Sequence, residues 1–273
     1  MTEFSVLMSI YRNEVPAYFR EALNCVFAQT LQPSEIVLVK DGPLTPELNS
    51  IIQEYVTRYP IFKVIENDTN LGLGRSLAKG VQACTHEYIA RMDTDDTMPP
   101  YRFKKQIQKI EEGYDVVSCW SIIYENDPAN IIAIKILPEQ SNEIIKLAHR
   151  RSPICHPGCI LRKSAVLKAG NYQHSLFYED YHLWIRMIMT NASFYNIQEI
   201  LYYLRTSPEQ IKRRGGWQYL TNELKVIRQF YKLGFYSLSD VIINSVIRIC
   251  VRLLPLRIRS IAMKKIWNTK THK

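Results

Sequence analysis

Tyr88-Ile89-Ala90-Arg91-Met92-Asp93-Thr94-Asp95-Asp96 passes from an apolar run straight into three carboxylates within four positions. A strand that ends in clustered acids places hard oxygen ligands at the rim of a sheet, where open α/β sheets gather their ligands. Carboxylates at i and i+2, here Asp93 and Asp95, suit a divalent ion that keeps part of its coordination for water and phosphate. Taken alone, the same stretch also reads as a solvated acidic turn, with Asp96 capping the next helix. The surrounding chain has to decide.

Upstream, short apolar runs alternate with amphipathic patterns. Residues 4–10, 35–40, 62–66, 88–92 and 115–120 read as buried strands, and helices are predicted near 15–29, 46–59, 73–84 and 99–112. Pro46 followed by Glu47, and the pair Pro99-Pro100, fit first-turn helix positions. Such alternation predicts an α/β fold, Rossmann-like, with a mostly parallel central sheet and helices on both faces. Downstream the pattern is mixed. A strand pair, 121–125 and 131–136, flanks the turn Asn126-Asp127-Pro128; helices are predicted near 140–149, 163–169 and 179–190, and short strands near 193–197 and 201–205. Beyond Gly215-Gly216 the chain reads as helix, a C-terminal extension of the α/β body.

The 273 residues, 47% of them hydrophobic and 22% charged, describe a globular chain with a sizeable core and exclude a disordered one. Met1-Thr2-Glu3 leads into apolar alternation without the basic start of a secretory signal. The six cysteines are scattered, mostly in apolar runs, and are expected as buried thiols of a cytoplasmic protein. Cys155-His156 with Cys159 lacks the second pair that zinc spacing requires.

The net charge of +9 is uneven. Residues 205–273 carry 15 basic and 3 acidic side chains, so the rest of the chain is slightly acidic. A concentrated basic segment points to an anionic partner surface. Arg248 and Arg252 share a helical face, with Ile242, Val246, Ile249 and Leu253 largely elsewhere. After Pro255, Arg257, Arg259, Lys264 and Lys265 are interleaved with Ile258, Ile261, Met263, Ile266 and Trp267. No run reaches the roughly 18–20 apolar residues a spanning helix needs. The segment 216–273 therefore reads as a basic amphipathic tail lying in a membrane interface, against a pair of helices docked on the body with solvated basic faces.

Three more motifs follow predicted strands. Ser9-Ile10-Tyr11-Arg12-Asn13-Glu14 ends the first, and Asp41-Gly42 ends the second, where a carboxylate can accept the N3–H of uracil. Asn70-Leu71-Gly72-Leu73-Gly74-Arg75-Ser76-Leu77-Ala78 opens a helix with two glycines and an arginine, which favours phosphate. Singly, each also reads as a cap or a chain reversal. Together with Asp93-x-Asp95, and with Arg102-Phe103 and Gln106 behind it, they resemble glycosyltransferase family 2, in a bacterial surface-polysaccharide subgroup. The resemblance covers about 4–215. Many relatives carry two aspartates at the second-strand motif, whereas this chain has Lys40-Asp41.

The resemblance implies a GT-A domain over 1–215, with a nucleotide-binding half (1–120) and an acceptor-binding half (121–215). It further implies a nucleotide-sugar donor, inversion at the anomeric carbon, and Mn²⁺ or Mg²⁺ held by Asp93 and Asp95. Donor contacts would come from Ser9, Tyr11, Asn13, Glu14, Asp41, Asn70, Gly72, Arg75, Asp93, Thr94, Asp95 and Arg213. In Tyr178-Glu179-Asp180-Tyr181 the family's Glu-Asp motif makes Asp180 the base for the acceptor hydroxyl, with Glu179 its orienting neighbour or the alternative base. As a bare dipeptide, Glu-Asp would simply favour a helix N-terminus. His156 and Trp184 are expected on the acceptor side. Gln210–Trp217 matches the signature of processive members only in part, since Trp217 does not directly follow an arginine. Arg213 or Arg214 would instead close over the diphosphate, or form a basic turn.

The expected function is transfer of a sugar, from a UDP-sugar above others, to a lipid-linked or surface glycan on the inner face of the cell membrane. The enzyme would be cytoplasmic and peripheral, held by the basic tail, with no nucleic-acid partner. A nucleotidyltransferase would place a glycine-rich basic signature after the first strand, and Ser9–Glu14 has no glycine. A non-catalytic lipid- or nucleic-acid-binding protein would retain these acids only by coincidence.

Overall fold

A computed structural model describes residues 2–125, 127, 129–173, 178–207 and 216–253. Strands β1 (Phe4–Ile10), β2 (Glu35–Lys40), β3 (Phe62–Glu66) and β4 (Tyr88–Arg91) are separated by α1 (Pro16–Phe27), α2 (Pro46–Arg58) and α3 (Leu73–Ala83). Then come α4 (Arg102–Glu111), the hairpin β5 (Val116–Glu125) and β6 (Ile131–Lys135), and α5 (Ser141–Ala148). A short 3₁₀ turn (His156–Gly158), β7 (Ile160–Arg162), α6 (Lys163–Lys168), α7 (Glu179–Met189) and β8 (Phe194–Thr206) complete the body. Two helices follow, α8 (Trp217–Lys232) and α9 (Leu238–Leu253).

Period-two alternation divides the core into two layers. Phe4, Val6, Met8 and Ile10 of β1 and Ile36 and Leu38 of β2 pack under α1, α2 and α4. Leu7, Val37 and Val39 point the other way, against α3, α6 and α7. The sheet order is β3-β2-β1-β4-β7-β5-β6, with β8 on β5. β3, β2, β1 and β4 are parallel neighbours, as are β5 and β8, while β7 and β6 run antiparallel. The chain leaves β1 toward β2 on one side and later returns to β4 on the other. That reversal opens a crevice beyond the carboxyl ends of β1 and β4.

Three local expectations are corrected. The predicted strands 115–120 and 121–125 are one strand, β5, and those near 193–197 and 201–205 are one strand, β8. β8 bulges where Cys119 pairs Ile197 but Trp120 pairs Ile200, and again before Tyr202, so extra residues break the alternation without ending the strand. Pro99-Pro100 lies before α4 rather than in its first turn. The Pro99 carbonyl accepts from Gln29 and that of Pro100 from the Thr30 N–H, which anchors the approach to the helix.

The segment 217–253 packs on the body. Val226, Ile227 and Phe230 of α8 pack with Tyr181 and Ile185 of α7, Ala148 and Tyr236. α9 is seated by its polar side, so the expectation that its arginines face lipid or solvent is corrected. Arg252 makes a two-pronged pair with Glu223 at 2.7 and 2.9 Å, and Arg248 donates to the Arg150 carbonyl at 2.8 Å. Among the described residues no helix is long and apolar enough to cross a membrane. Arg213, Arg214 and 254–273 lie outside the described residues.

Candidate active site

β4 delivers the acids to the crevice because its last residue is clamped from behind. Arg102 is wholly buried, and its guanidinium donates to the Arg91 carbonyl (2.7 Å), the Cys159 carbonyl (3.3 Å) and Gln106 (2.9 Å). It also lies over the Tyr202 ring, 5.0 Å from the centroid. Gln106 donates in turn to the Gly158 carbonyl at 2.7 Å. This buried cation has no carboxylate partner among these contacts; carbonyl dipoles and an aromatic face take that place.

Beyond the clamp, Asp93, Asp95 and Asp96 bring carboxylate oxygens within 4.8 Å of one another. The fully buried Arg91 guanidinium pairs with Asp93, whose own N–H donates to the Tyr202 hydroxyl at 3.1 Å. Asp95 is pushed up to about 7, first by burial and then by the charges of Asp93 and Glu14. Asp96 is buried; its Oδ1 accepts from the Arg205 N–H, and its Oδ2 has no partner at hydrogen-bonding geometry. Thr94 is buried and its hydroxyl donates to Glu14, so the first-strand motif and the acidic loop are one unit. An all-oxygen donor set with mutually repelling charges and an orphaned buried oxygen fits a hard divalent cation.

Arg205, at the end of β8, is a site residue that sequence reasoning passed over. Its Nε donates to the Asp95 carbonyl at 2.9 Å, its Nη2 reaches Glu21 at 2.6 Å, and its guanidinium lies 3.9 Å from the Tyr18 ring centroid. The terminal cation of an alternating strand looks solvated in a sequence. Nothing local reveals that Thr97 and Tyr203 bridge β8 to the acidic loop.

The donor-side expectations divide. Asp41 is buried and accepts from the Leu71 N–H (2.7 Å), the Gly72 N–H (3.0 Å) and Asn67 (3.2 Å). It organises the loop that carries Asn70 and Gly72, with one of about four lone-pair positions left for a ligand. Gly72 caps α3 at φ +86°, and a side chain on Gly42 (φ +88°) would meet Asn70 N at 2.7 Å. Arg75 stands exposed in the first turn of α3. Tyr11 and Asn13 are exposed on the turn after β1, while Ser9 is partly buried and its carbonyl accepts from Thr94 at 3.5 Å.

Glu179 and Asp180 open α7 and are half-buried. Gly74 makes this possible: a Cβ there would lie 3.0 Å from that of Glu179. Glu179 is pushed up to about 7, by burial first and then by Asp180, while Arg91 opposes the shift and Asp93 adds to it. The Glu-Asp pair and the β4 acids therefore share one electrostatic field, to which buried Arg91 also belongs. Asp180 is raised by burial and accepts from Ser152 at 3.2 Å.

The two acceptor-side candidates, His156 and Trp184, are both buried. Trp184 is wholly enclosed in the core. His156 is buried, bonded through Nε2 to the Tyr172 hydroxyl at 2.8 Å and held well below its ordinary pKa, by burial first and then by Arg91. The two rings meet edge to face, with centroids 5.9 Å apart. Four of the six cysteines are buried free thiols, Cys25 is partly buried and Cys250 is exposed.

A family model described as "Glycosyl transferase family 2" matches residues 5–170. UDP-Gal:alpha-D-GlcNAc-diphosphoundecaprenol beta-1,3-galactosyltransferase of Escherichia coli is 36% identical over 97% of this chain and 96% of that protein. Amylovoran biosynthesis glycosyltransferase AmsE of Erwinia amylovora is 34% identical over 96% and 98%. Among solved structures, S. aureus TarS 1-349 in complex with UDP-GlcNAc matches with a TM-score of 0.65 at 18% identity, over 84% of this chain and 66% of that one. This chain spans only 40% of a longer TarS structure. Mannosyltransferase PcManGT from Pyrobaculum calidifontis, in complex with GDP-Man and Mn²⁺, matches with a TM-score of 0.68 at 14% identity, over 98% and 76%. At such identities the likeness shows the fold alone, and that fold is GT-A.

Proposed function

The chain belongs to glycosyltransferase family 2, and from that premise we propose a metal-dependent, inverting enzyme that carries a sugar from a UDP-sugar to a hydroxyl of a lipid-linked glycan. One observation supports it above others: the charges of Asp93 and its partner Arg91 act on Glu179, so the β4 acids and the α7 acid pair share one electrostatic field. Displacement at an anomeric carbon needs negative charge stabilised on the departing diphosphate and a base on the opposite face. Asp180 takes the proton of the acceptor hydroxyl, and its burial-raised pKa makes it a better proton acceptor than an exposed aspartate. Glu179 orients it.

Asp93 and Asp95 would hold Mn²⁺ or Mg²⁺, which supplies Lewis-acid stabilisation of the diphosphate. Asp96 stays behind them, held by Arg205. The nucleoside lies over Ser9, Tyr11, Asn13 and Asp41, and Arg75 and Arg213 serve the phosphates. The names of the Escherichia coli and Erwinia amylovora relatives support surface-glycan synthesis on a diphosphoundecaprenol-linked acceptor. Body 1–215 performs the transfer at the inner face of the cell membrane, and 216–273 holds it there, without nucleic acid. The test is transfer of radiolabel from UDP-sugars to a GlcNAc-diphospholipid with Mn²⁺. Asp95→Ala and chelation should each lower kcat roughly a hundred- to a thousandfold; activity indifferent to both would sink the mechanism.

A further inference from the structure

α9 is seated in reverse for a helix that faces water. Asp240, Asn244, Arg248 and Arg252 recur every fourth position and turn inward. Asp240 meets Arg150 (2.6 Å) and His149 (3.1 Å), and Asn244 donates to the His149 carbonyl (2.9 Å). Arg248 and Arg252 are spent on the Arg150 carbonyl and on Glu223. The outward side carries Leu238, Ile242, Ile243, Val246, Ile247 and Ile249, each between 39% and 63% exposed. No charged residue is among the exposed residues of α9. A water-facing helix shows the opposite pattern, and an apolar strip of this length marks an interaction surface.

The sequence that follows identifies the occupant. Residues 254–273 hold Arg257, Arg259, Lys264, Lys265, Lys270 and Lys273 and no acid. An apolar face leading directly into concentrated positive charge is complementary to an anionic phospholipid surface, with acyl boundary for one and headgroups for the other. A second copy fits less well, because a symmetric contact pairs a patch with itself and would gather two such basic runs at one interface. The location is also apt. α9 grips His149 and Arg150, and two residues further Ser152 donates to Asp180 at 3.2 Å.

We propose that the outer face of α9 enters an anionic lipid monolayer through its apolar side chains, which sets the Asp180 side of the crevice at the membrane surface. The proposal deepens the reading of a lipid-linked acceptor by naming the surface that meets the lipid. The test is flotation of the full chain with phosphatidylglycerol–phosphatidylcholine vesicles, without donor or acceptor. Ile242→Asp/Val246→Asp should lower the partition coefficient about tenfold or more, as expected when two buried aliphatic side chains become charged. Its melting temperature, oligomeric state and transfer to a water-soluble acceptor analogue should not change, and Val246→Trp should strengthen flotation. If the double variant does not fold, the tryptophan variant decides: stronger flotation supports the proposal and unchanged flotation overturns it. Equal flotation of folded double variant and wild type, or none by wild type, also overturns it. So does a wild type that self-associates without lipid and becomes monomeric in the variant. Flotation that holds while transfer to every soluble acceptor fails would strike the enzymatic reading and leave this one standing.

Discussion

The main-chain N–H of Arg205 donates to Oδ1 of Asp96 at 2.7 Å, across 109 positions of sequence. With the Arg205 Nε on the Asp95 carbonyl, it ties the end of β8 to the loop that would hold the metal. Arg205→Lys should keep the charge but lose the fork that spans Asp95, Glu21 and the Tyr18 ring. Such outer partners are worth roughly ten- to a hundredfold in metal affinity. The expected result is a rightward shift of that size in the Mn²⁺ dependence of transfer, with the melting temperature of the metal-free protein little changed. An unshifted metal titration would reduce Arg205 to a structural role.

Asp180→Asn should lower kcat roughly a hundred- to ten-thousandfold, the usual worth of a positioned base, while donor binding survives. Thermal shift with UDP-sugar and Mn²⁺ checks the second half. Glu179→Gln should cost less and leave the acidic limb of the kcat–pH profile nearly in place, since Glu179, pushed up to about 7 by burial and by the charge of Asp180, is already neutral on that limb. A limb that moves to lower pH would show that Glu179 is charged where Asp180 titrates and would contradict that assignment.

Glu179 also links stability to pH. Its folded-state pKa of about 7 lies above the ordinary 4.5, so the native state binds its proton more tightly than the unfolded chain. The stabilisation is complete below about pH 4.5 and is lost as pH rises through about 7. In urea titrations of metal-free protein, Glu179→Gln should therefore flatten the fall in stability over that window. A wild-type curve that rises there would contradict the assignment. Asp95 contributes in the same direction, and Mn²⁺ should suppress its share.

Arg102→Met should test the clamp. It leaves the buried Arg91 carbonyl without this donor and empties the stack on Tyr202. The expected loss is about 2–4 kcal/mol by chemical denaturation, from uncompensated buried acceptors and lost packing. Transfer activity measured well below the new melting temperature should fall too, because β4 presents the acids.

The first four strands and their crossover helices were legible residue by residue, because a doubly covered parallel sheet writes itself as apolar runs separated by helical periods. Thr45 at the N-cap of α2 and Pro46 at its first position are local signals of the same kind. The acidic cluster at 93–96 was legible as acids at a strand end, whereas 179 and 180 stood out only through the family resemblance. What tertiary structure alone decided is what lies far along the chain. Arg205 and Tyr202 reach the β4 loop only because β8 pairs with β5 and bridges back at Thr97. Trp184 and His156 carry polar atoms, and whether those face a crevice or a core depends on layers assembled from distant segments. The same holds for α9: periodicity separates its two faces, but only Glu223 on α8 and His149 and Arg150 on the body determine that the charged one turns inward.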